Sequence, residues 1–592
     1  MAFIHDVIII GAGPCGLGLA TRLCEQTPAE HYTDEEHRRY HWIRKYQFSN
    51  PGALKKQRHN GVASTVSNNE SQPFSSTAHP YSEGDPKVGQ RLGEYHTLVI
   101  DATSKRFLSR WDSNFQTFGI RHLRSPMFFH VDPADRDGLL AFAQEHERYK
   151  TECEEIKGVV GQEITKHARK QRATRQHKHQ AIGRDTNIDE RQRQDYFVPS
   201  RELFRDHCQH LVERYKIDED RLIVQDVVAD IEYGLVEDML HVPNASITGD
   251  LDKIFKVKTW QGTYFAKAVV LSIGPSMPLN RMVSWPDGSC HSSQIKDFPS
   301  FGIQQKTKLK IPTNVLIVGG GLTSAQLALR AIGRGVTKVW LIMRGPLKIK
   351  HFDMTLEWVG KFKNQEKASF WSADTDEERF EMIKIARNGG SIPLKYKKLL
   401  DEQVAKNRLV VLTHTTLRTI CKNDDVWKTQ TVMTDPPIPN LPDIDFVYFA
   451  TGPRSGLNSL SMPSCCTEGY SSIPHDGSLP VPFLETLQQF HPIHWLNGLP
   501  VLNNDLAWST VETGKENRTI PLFMTGALAA LRLGPGAANL EGARTGAERV
   551  TWGIQDAIGT SLSKTEQLAQ GLNAYITGEG GMFDGLAELD DY

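Results

Sequence analysis

The 592-residue sequence has eight cysteines but no C-x-x-C pair, and their spacing matches neither a zinc site nor a disulfide framework. That argues against dithiol chemistry beside a cofactor and leaves ordinary reduced thiols, as expected inside a cell. Long apolar runs are also missing: no stretch approaches the roughly 18 residues of a membrane span. The first strand begins almost at the N-terminus, with no room for a signal peptide, so a cytoplasmic protein without a membrane partner is expected. Charge bias is absent too. With 69 Lys and Arg against 70 Asp and Glu, nothing in the overall charge points to nucleic acid. Single cores stop growing near about 250–300 residues, so two to four domains are expected.

What the chain does have is a pair of glycine-rich fingerprints about 300 residues apart. The first is Asp6-Val7-Ile8-Ile9-Ile10-Gly11-Ala12-Gly13-Pro14-Cys15-Gly16, the second Asn314-Val315-Leu316-Ile317-Val318-Gly319-Gly320-Gly321-Leu322-Thr323-Ser324. Each begins with a continuous apolar run, the mark of a parallel strand buried on both faces. Gly11 and Gly319 permit a tight turn after the strand. Gly13 and Gly321 let the backbone approach a pyrophosphate. Pro14 belongs to the same candidate cofactor-binding turn. Gly16 allows close helix–strand packing, and the small Ser324 stands at the equivalent place. The Ala- and Leu-rich stretches that follow would aim free N–H groups and a positive dipole end at the phosphates. A strand–helix turn that binds nothing is the plain alternative for either motif alone. Two such motifs in one chain point to an enzyme that binds two dinucleotides and passes electrons between them.

The residue closing the next strand reads the ribose. In the second unit, Val339–Met343 is followed by Arg344, 25 residues after Gly319, with Lys348 and Lys350 beyond and no acid at that end. This favours NADPH over NADH, against the alternative of a solvated surface arginine. In the first unit the corresponding strand comes late, at Thr97–Ile100, and ends on Asp101, 90 residues after Gly11. The excess matches a polar, Pro-punctuated segment at about 27–93, read as a surface insertion. Asp101 is then the ribose acid of the first site, suited to an adenosine with a free 2′-hydroxyl. A second insertion is expected at 161–195. Its basic run, including Lys166, Arg169, Lys170 and Arg172, lacks interleaved aromatics and reads as a solvated loop rather than an RNA-binding surface.

Two further strands, Val269–Ile273 with Gly274-Pro275 and Phe446–Ala450 with Gly452-Pro453, each follow one fingerprint. The predicted architecture is α/β with two Rossmann-like dinucleotide-binding domains. An NADPH domain at 311–440 is inserted into a discontinuous FAD domain formed by 1–310 and 441–592.

With these features the sequence resembles the flavin-dependent N-hydroxylating monooxygenases, the L-lysine and L-ornithine N-monooxygenase group. Three local blocks carry the resemblance beside the fingerprints: Trp111–Pro126, Val198–Phe204, and Leu522–Ala527 continuing through Leu533–Arg544. The resemblance implies that Leu123, Arg124 and Ser125 lie near the isoalloxazine of FAD. It also implies that Gly526, Gly536 and Asn539 belong to the final FAD contact. Gly534 and Gly536 would permit close backbone approach there; a structural salt bridge is the alternative for Arg124. The implied activity is NADPH-dependent reduction of FAD, formation of a C4a-peroxyflavin with O2, and oxygen transfer to a small nucleophile, above all an amine. No side chain stands out as a general base, and the transfer needs none. The chain departs from the pattern in two places. Gly534–Arg549 is small and glycine-rich where ornithine enzymes are Ser/Leu-rich. His291-Ser292 resembles the linker of related flavin monooxygenases but lacks the Baeyer–Villiger spacing. An NADPH oxidase or reductase without oxygen transfer is the first alternative. A catalytically degenerate flavoprotein acting as an interaction module is the second.

Overall fold

A computed structural model of the chain describes residues 3–25, 88–157, 159, 196–240, 253–274, 287–360, 363–423, 426–433, 441–452, 481–511 and 518–558. Most of the expected insertion at 27–93 and all of that at 161–195 lie outside the described residues, as do Pro275 and Pro453.

The strands that position the two fingerprints are, in chain order, β1 (Ile4–Ile10), β2 (Gln90–Leu92), β3 (Tyr95–Asp101), β4 (Ile223–Gln225), β5 (Val228–Leu235), β6 (Lys253–Thr259), β7 (Thr263–Leu271), β8 (Ser289–His291), β9 (Asn314–Val318), β10 (Lys338–Ile342), β11 (Leu409–Leu412), β12 (Phe446–Phe449), β13 (Ala507–Ser509) and β14 (Thr519–Met524). The helices used below are α1 (Pro14–Cys24), α2 (Arg201–Arg214), α3 (Leu322–Gly333), α4 (Lys363–Trp371), α5 (Asp376–Arg387), α6 (Leu394–Ala405) and α7 (Leu540–Ile558).

A nine-stranded sheet runs β13-β14-β7-β1-β3-β2, with β4 also on β3 and the β5–β6 pair joined to β7. Its centre is parallel, Ile10 standing beside Ile100 on one side and Leu271 on the other. Val7, Ile8 and Ile9 are fully buried, because helices cover both faces of a parallel sheet. The strand expected at 97–100 forms as β3. The last residues of the expected first insertion form β2, which pairs antiparallel with β3.

The second sheet is five-stranded and parallel, in the order β8-β12-β9-β10-β11. It takes in β8 and β12 and so reaches beyond the 311–440 expected from the fingerprint alone. The reason is that β12 pairs in register with β9, Val318 beside Phe449. A short apolar run after a polar segment carries no mark of which sheet it will join. In chain order all five strands lie between β7 and β13 of the larger sheet. The fold is therefore mixed α/β with several sheets.

Helix α1 lies against α7, and a buried ion pair joins them, Arg22 to Glu548. A second buried polar cluster flanks α2. Asp132 accepts from Arg214 Nη1 at 2.8 Å and lies 3.7 Å from His207. Burial works to raise the Asp132 carboxyl, but contacts with His207 and Arg214 hold it below the usual range. Burial, reinforced by Arg544 and His207, pushes His130 down to about 3. His5 falls to about 4 through burial and the adjacent His96. A histidine whose folded pKa is depressed contributes stability above its unfolded pKa of about 6.5, and loses it as pH drops toward the folded value. Asp132 acts in the same direction only below about pH 4, where an unfolded carboxylate begins to protonate, so the two histidines govern the range above it. The urea midpoint is therefore expected to fall steadily from pH 7.5 to pH 5; a flat profile would show that neither histidine is held neutral. Among the described residues, no helix is long and apolar enough to cross a membrane.

Candidate dinucleotide sites

Both fingerprints fold into the same local device. Gly11 N–H donates to Ile100 O at 2.8 Å, and Gly319 N–H donates to Ile342 O at 2.9 Å, so each turn is tied to the end of its neighbouring strand. Gly11 has φ +110° and Gly319 φ +153°; an added Cβ would stand 2.5 Å from Ser272 O and 2.3 Å from Ala450 O. Only glycine fits either place. Gly13 and Gly321 precede α1 and α3 in extended conformation. Pro14 is the first residue of α1. An added Cβ on Gly16 would meet Gly11 O at 2.0 Å, so α1 sits on its strand as closely as backbones allow. Ser324 in the second unit is buried and donates to Gly321 O at 2.6 Å.

The tie also fixes which residues correspond. Ile100 is followed by Asp101, and Ile342 by Met343 and then Arg344. One Asp101 oxygen accepts from Ala12 N–H at 2.8 Å. The other accepts from Thr103 N–H at 2.8 Å, Ser104 N–H at 3.2 Å and the Thr103 hydroxyl. The carboxylate thus lies on the first glycine turn. Its counterpart in the second unit is apolar, and Arg344 beyond it is exposed.

The sequence blocks converge on the first turn and on the seam between the sheets. Blocks one and two pair with each other, Leu123 N–H donating to Pro199 O at 3.0 Å and Arg201 N–H to Arg121 O at 2.8 Å. Ser200 caps α2 by accepting from Leu203 N–H. Leu123 is buried and Ser125 half-buried. Gly526, at φ +65°, brings its backbone against Cys15, with an added Cβ 3.5 Å from the sulfur. Burial pushes the Cys15 thiol up to about 11, with a hydrogen bond to Thr525 opposing, so it stays a thiol.

Two expected flavin contacts are occupied otherwise. Arg124 donates to main-chain oxygens of Ser391, Lys350 and Phe352, and to the Ser391 hydroxyl. Asn539 Nδ2 donates to Asp353 at 3.0 Å, while the second Asp353 oxygen takes Arg387 at 3.1 Å. Both side chains therefore tie the first unit to the second. Gly536 lies nearby, where an added Cβ would meet Glu541 and Met354. Sequence reasoning missed Asp353, Ser391 and Gly390. The Asn388-Gly389-Gly390 run is the one signal for them, and it reads as an ordinary loop. Cations gather at the seam: burial, and after it the nearby Arg124, Lys348 and Arg387, lower the Lys350 pKa, with the Asp353 carboxylate opposing.

No protein-family model matches the chain, and no curated protein sequence matches it. Solved structures do. The ornithine N-hydroxylase of Kutzneria sp. 744, with reduced FAD, NADP+ and L-ornithine, is 14% identical, with a TM-score of 0.52 over 94% of this chain and 99% of that one. The ornithine hydroxylase of Pseudomonas aeruginosa is 13% identical, with a TM-score of 0.52 over 94% and 100%. The FAD-bound cadaverine monooxygenase of Erwinia amylovora is 15% identical, with a TM-score of 0.50 over 94% and 95%. The chain shares their fold. At these identities the likeness shows the fold alone, and the chemistry has to be argued from the side chains.

Proposed function

We propose that the chain is an NADPH-dependent flavoprotein monooxygenase that oxygenates the nitrogen of a small amine. FAD would lie on the Gly11–Gly16 turn and NADPH on the Gly319–Ser324 turn. The observation that carries this reading is the pair of glycine turns tied alike to the neighbouring strand, the first held by the Asp101 carboxylate and the second followed at one residue's remove by the exposed Arg344. At the first turn the residues fit the group. Space is open beside Gly13, where an added Cβ would meet nothing within 4 Å. The N-terminus of α1 supplies unpaired N–H groups to a pyrophosphate. Bound FAD would supply hydride acceptance and O2 activation; position and electrostatics come from the chain.

Asp101 would accept from the ribose hydroxyls of FAD, held ready by its bond to Ala12. Leu123 and Gly526 would approach the flavin, with Ser125 beside them. Gly536 and Asn539 would close the far side, Asn539 through the contact with Asp353. In the second unit Arg344 would meet the 2′-phosphate of NADPH. The cations of the seam would draw an anionic dinucleotide toward it. In domain terms, an NADPH unit lies within an FAD unit built from 1–310 and 441–592. The second sheet places its strands between 289 and 449, wider than 311–440.

Two measurements test this. Purified protein is mixed with NADPH and air over a panel of small primary amines, scoring hydroxylamine formed against NADPH consumed. Hydroxylamine from at least one amine is expected. Stoichiometric hydrogen peroxide with every amine would leave an oxidase, and no NADPH oxidation would leave a non-catalytic flavoprotein. Arg344→Ala is expected to raise the KM for NADPH about 30-fold, roughly 2 kcal/mol for a lost charged hydrogen bond, and to leave that for NADH within about 2-fold. Equal effects on both would remove Arg344 from the phosphate site.

A further inference from the structure

The chain between β10 and α6 leaves the second sheet and comes back. Phe352, Met354, Trp358, Val359, Phe370, Ile383 and Ala386 are buried in the core of the nine-stranded sheet, not in that of their own sheet. The outgoing and returning stems pair, Ile392 N–H donating to Lys348 O at 2.9 Å and Lys350 N–H to Ile392 O at 3.1 Å. On the return, Gly390 lies against the second fingerprint, where an added Cβ would stand 3.0 Å from Gly321 Cα and N.

One side chain from the first unit holds both stems. Arg124 Nη2 donates to Lys350 O at 3.2 Å, Phe352 O at 2.6 Å and Ser391 Oγ at 2.9 Å; Nη1 donates to Ser391 O at 2.9 Å. Main-chain oxygens cannot move without carrying the backbone, and Ser391 adjoins Gly390. The path from block one to the NADPH turn is therefore Arg124, Ser391, Gly390, Gly321. Burial, which Asp353 partly offsets, lowers the guanidinium to about 10. A cation kept in such a place with carbonyl partners suits a geometric role better than one in ligand recognition.

We propose that Arg124 is a positioning residue: by pinning both stems of the 350–391 excursion to the Leu123–Ser125 segment, it sets the spacing between the two glycine turns, and so governs hydride transfer without binding NADPH. This rests on the reading above for its catalytic consequence, but not for the clamp itself.

The test uses the full-length, FAD-loaded protein and Arg124→Met. The limiting rate of anaerobic flavin reduction by NADPH is expected to fall about 100-fold, the scale of a 1 Å misplacement, with half-saturation shifted less than about 3-fold. Without NADPH or turnover, hydrogen exchange at the amides of 388–392 is expected to quicken at least about 10-fold, since the loop loses its anchor. Guanidinium ion should restore part of the rate to Arg124→Ala and none to Arg344→Ala. A large rise in half-saturation at unchanged limiting rate would make Arg124 a dinucleotide ligand and overturn the proposal, as would unchanged exchange. Should Arg124→Met not fold, Ser391→Ala, which removes one of the four bonds, is expected to shift rate and exchange in the same direction to a smaller extent; no shift overturns the clamp. If the wild-type flavin is not reduced by NADPH, the functional reading falls, and hydrogen exchange alone decides the clamp.

Discussion

Gly13→Val is expected to give soluble, folded protein without flavin, while Gly16→Ala, the smaller change, is expected to give no stable fold. The two glycines lie three residues apart and face opposite constraints. Gly13 sits at φ −79° and ψ −171°, which any residue adopts, and an added Cβ meets nothing within 4 Å. The fold loses only part of a helix cap, about 1 kcal/mol. The space a valine fills is the space where, on the proposed function, a pyrophosphate would approach the backbone. Losing two or three charge-assisted hydrogen bonds weakens binding by roughly 3–6 kcal/mol, more than 100-fold. At Gly16 the added Cβ lies 2.0 Å from Gly11 O. Gly11 cannot retreat, because its own face is packed on Ser272. Relief requires lifting α1 from β1 at the centre of the core, which costs upwards of about 3 kcal/mol. Flavin absorbance per protein and the urea midpoint separate the two outcomes. A yellow Gly13→Val protein would move the pyrophosphate elsewhere, and a stable Gly16→Ala protein would mean that the helix can shift.

Glu548→Ala is expected to destabilise the protein by about 3–5 kcal/mol, the penalty for stranding a buried cation. Arg22 and Glu548 are 8% and 2% exposed at their side chains and bond through two nitrogen–oxygen contacts. They join α1 to α7, residues more than 500 positions apart. Arg22→Met alone should cost a similar amount. The double variant Arg22→Met, Glu548→Leu should recover most of the loss, because an apolar pair of similar volume needs no desolvation. Guanidinium unfolding of the three variants decides it. Near-zero coupling would show that the pair is decoration.

How far the sequence was legible follows from range. The fingerprints, the helices behind them and the late strand ending on Asp101 could be read because each is a local pattern: an apolar run, a glycine spacing, a closing acid. The pairing of β12 with β9 was not legible, since four apolar residues carry no address. Nor was the use of Arg124, since arginine in a motif reads alike whether it meets a ligand or three carbonyl oxygens. The excursion that buries Trp358 and Phe370 in the other unit's core shows no periodicity by which to assign it. Local chemistry was visible; which surfaces meet was not.

The order of strands also dictates a sequence of events in time. β14 and α7, which complete the first turn's surroundings through Gly526 and Glu548, come from residues 519–558, whereas the five strands of the second sheet are complete by residue 449. On the ribosome, the smaller sheet can close while the larger still lacks an edge and the partner of Arg22. Until β14 emerges, the Val269–Leu271 end of β7 lacks its neighbour on that side, an apolar strand margin of the kind that chaperones bind and aggregates grow from. Truncation near the C-terminus should therefore do its damage at the opposite end of the chain, in the nascent first glycine turn.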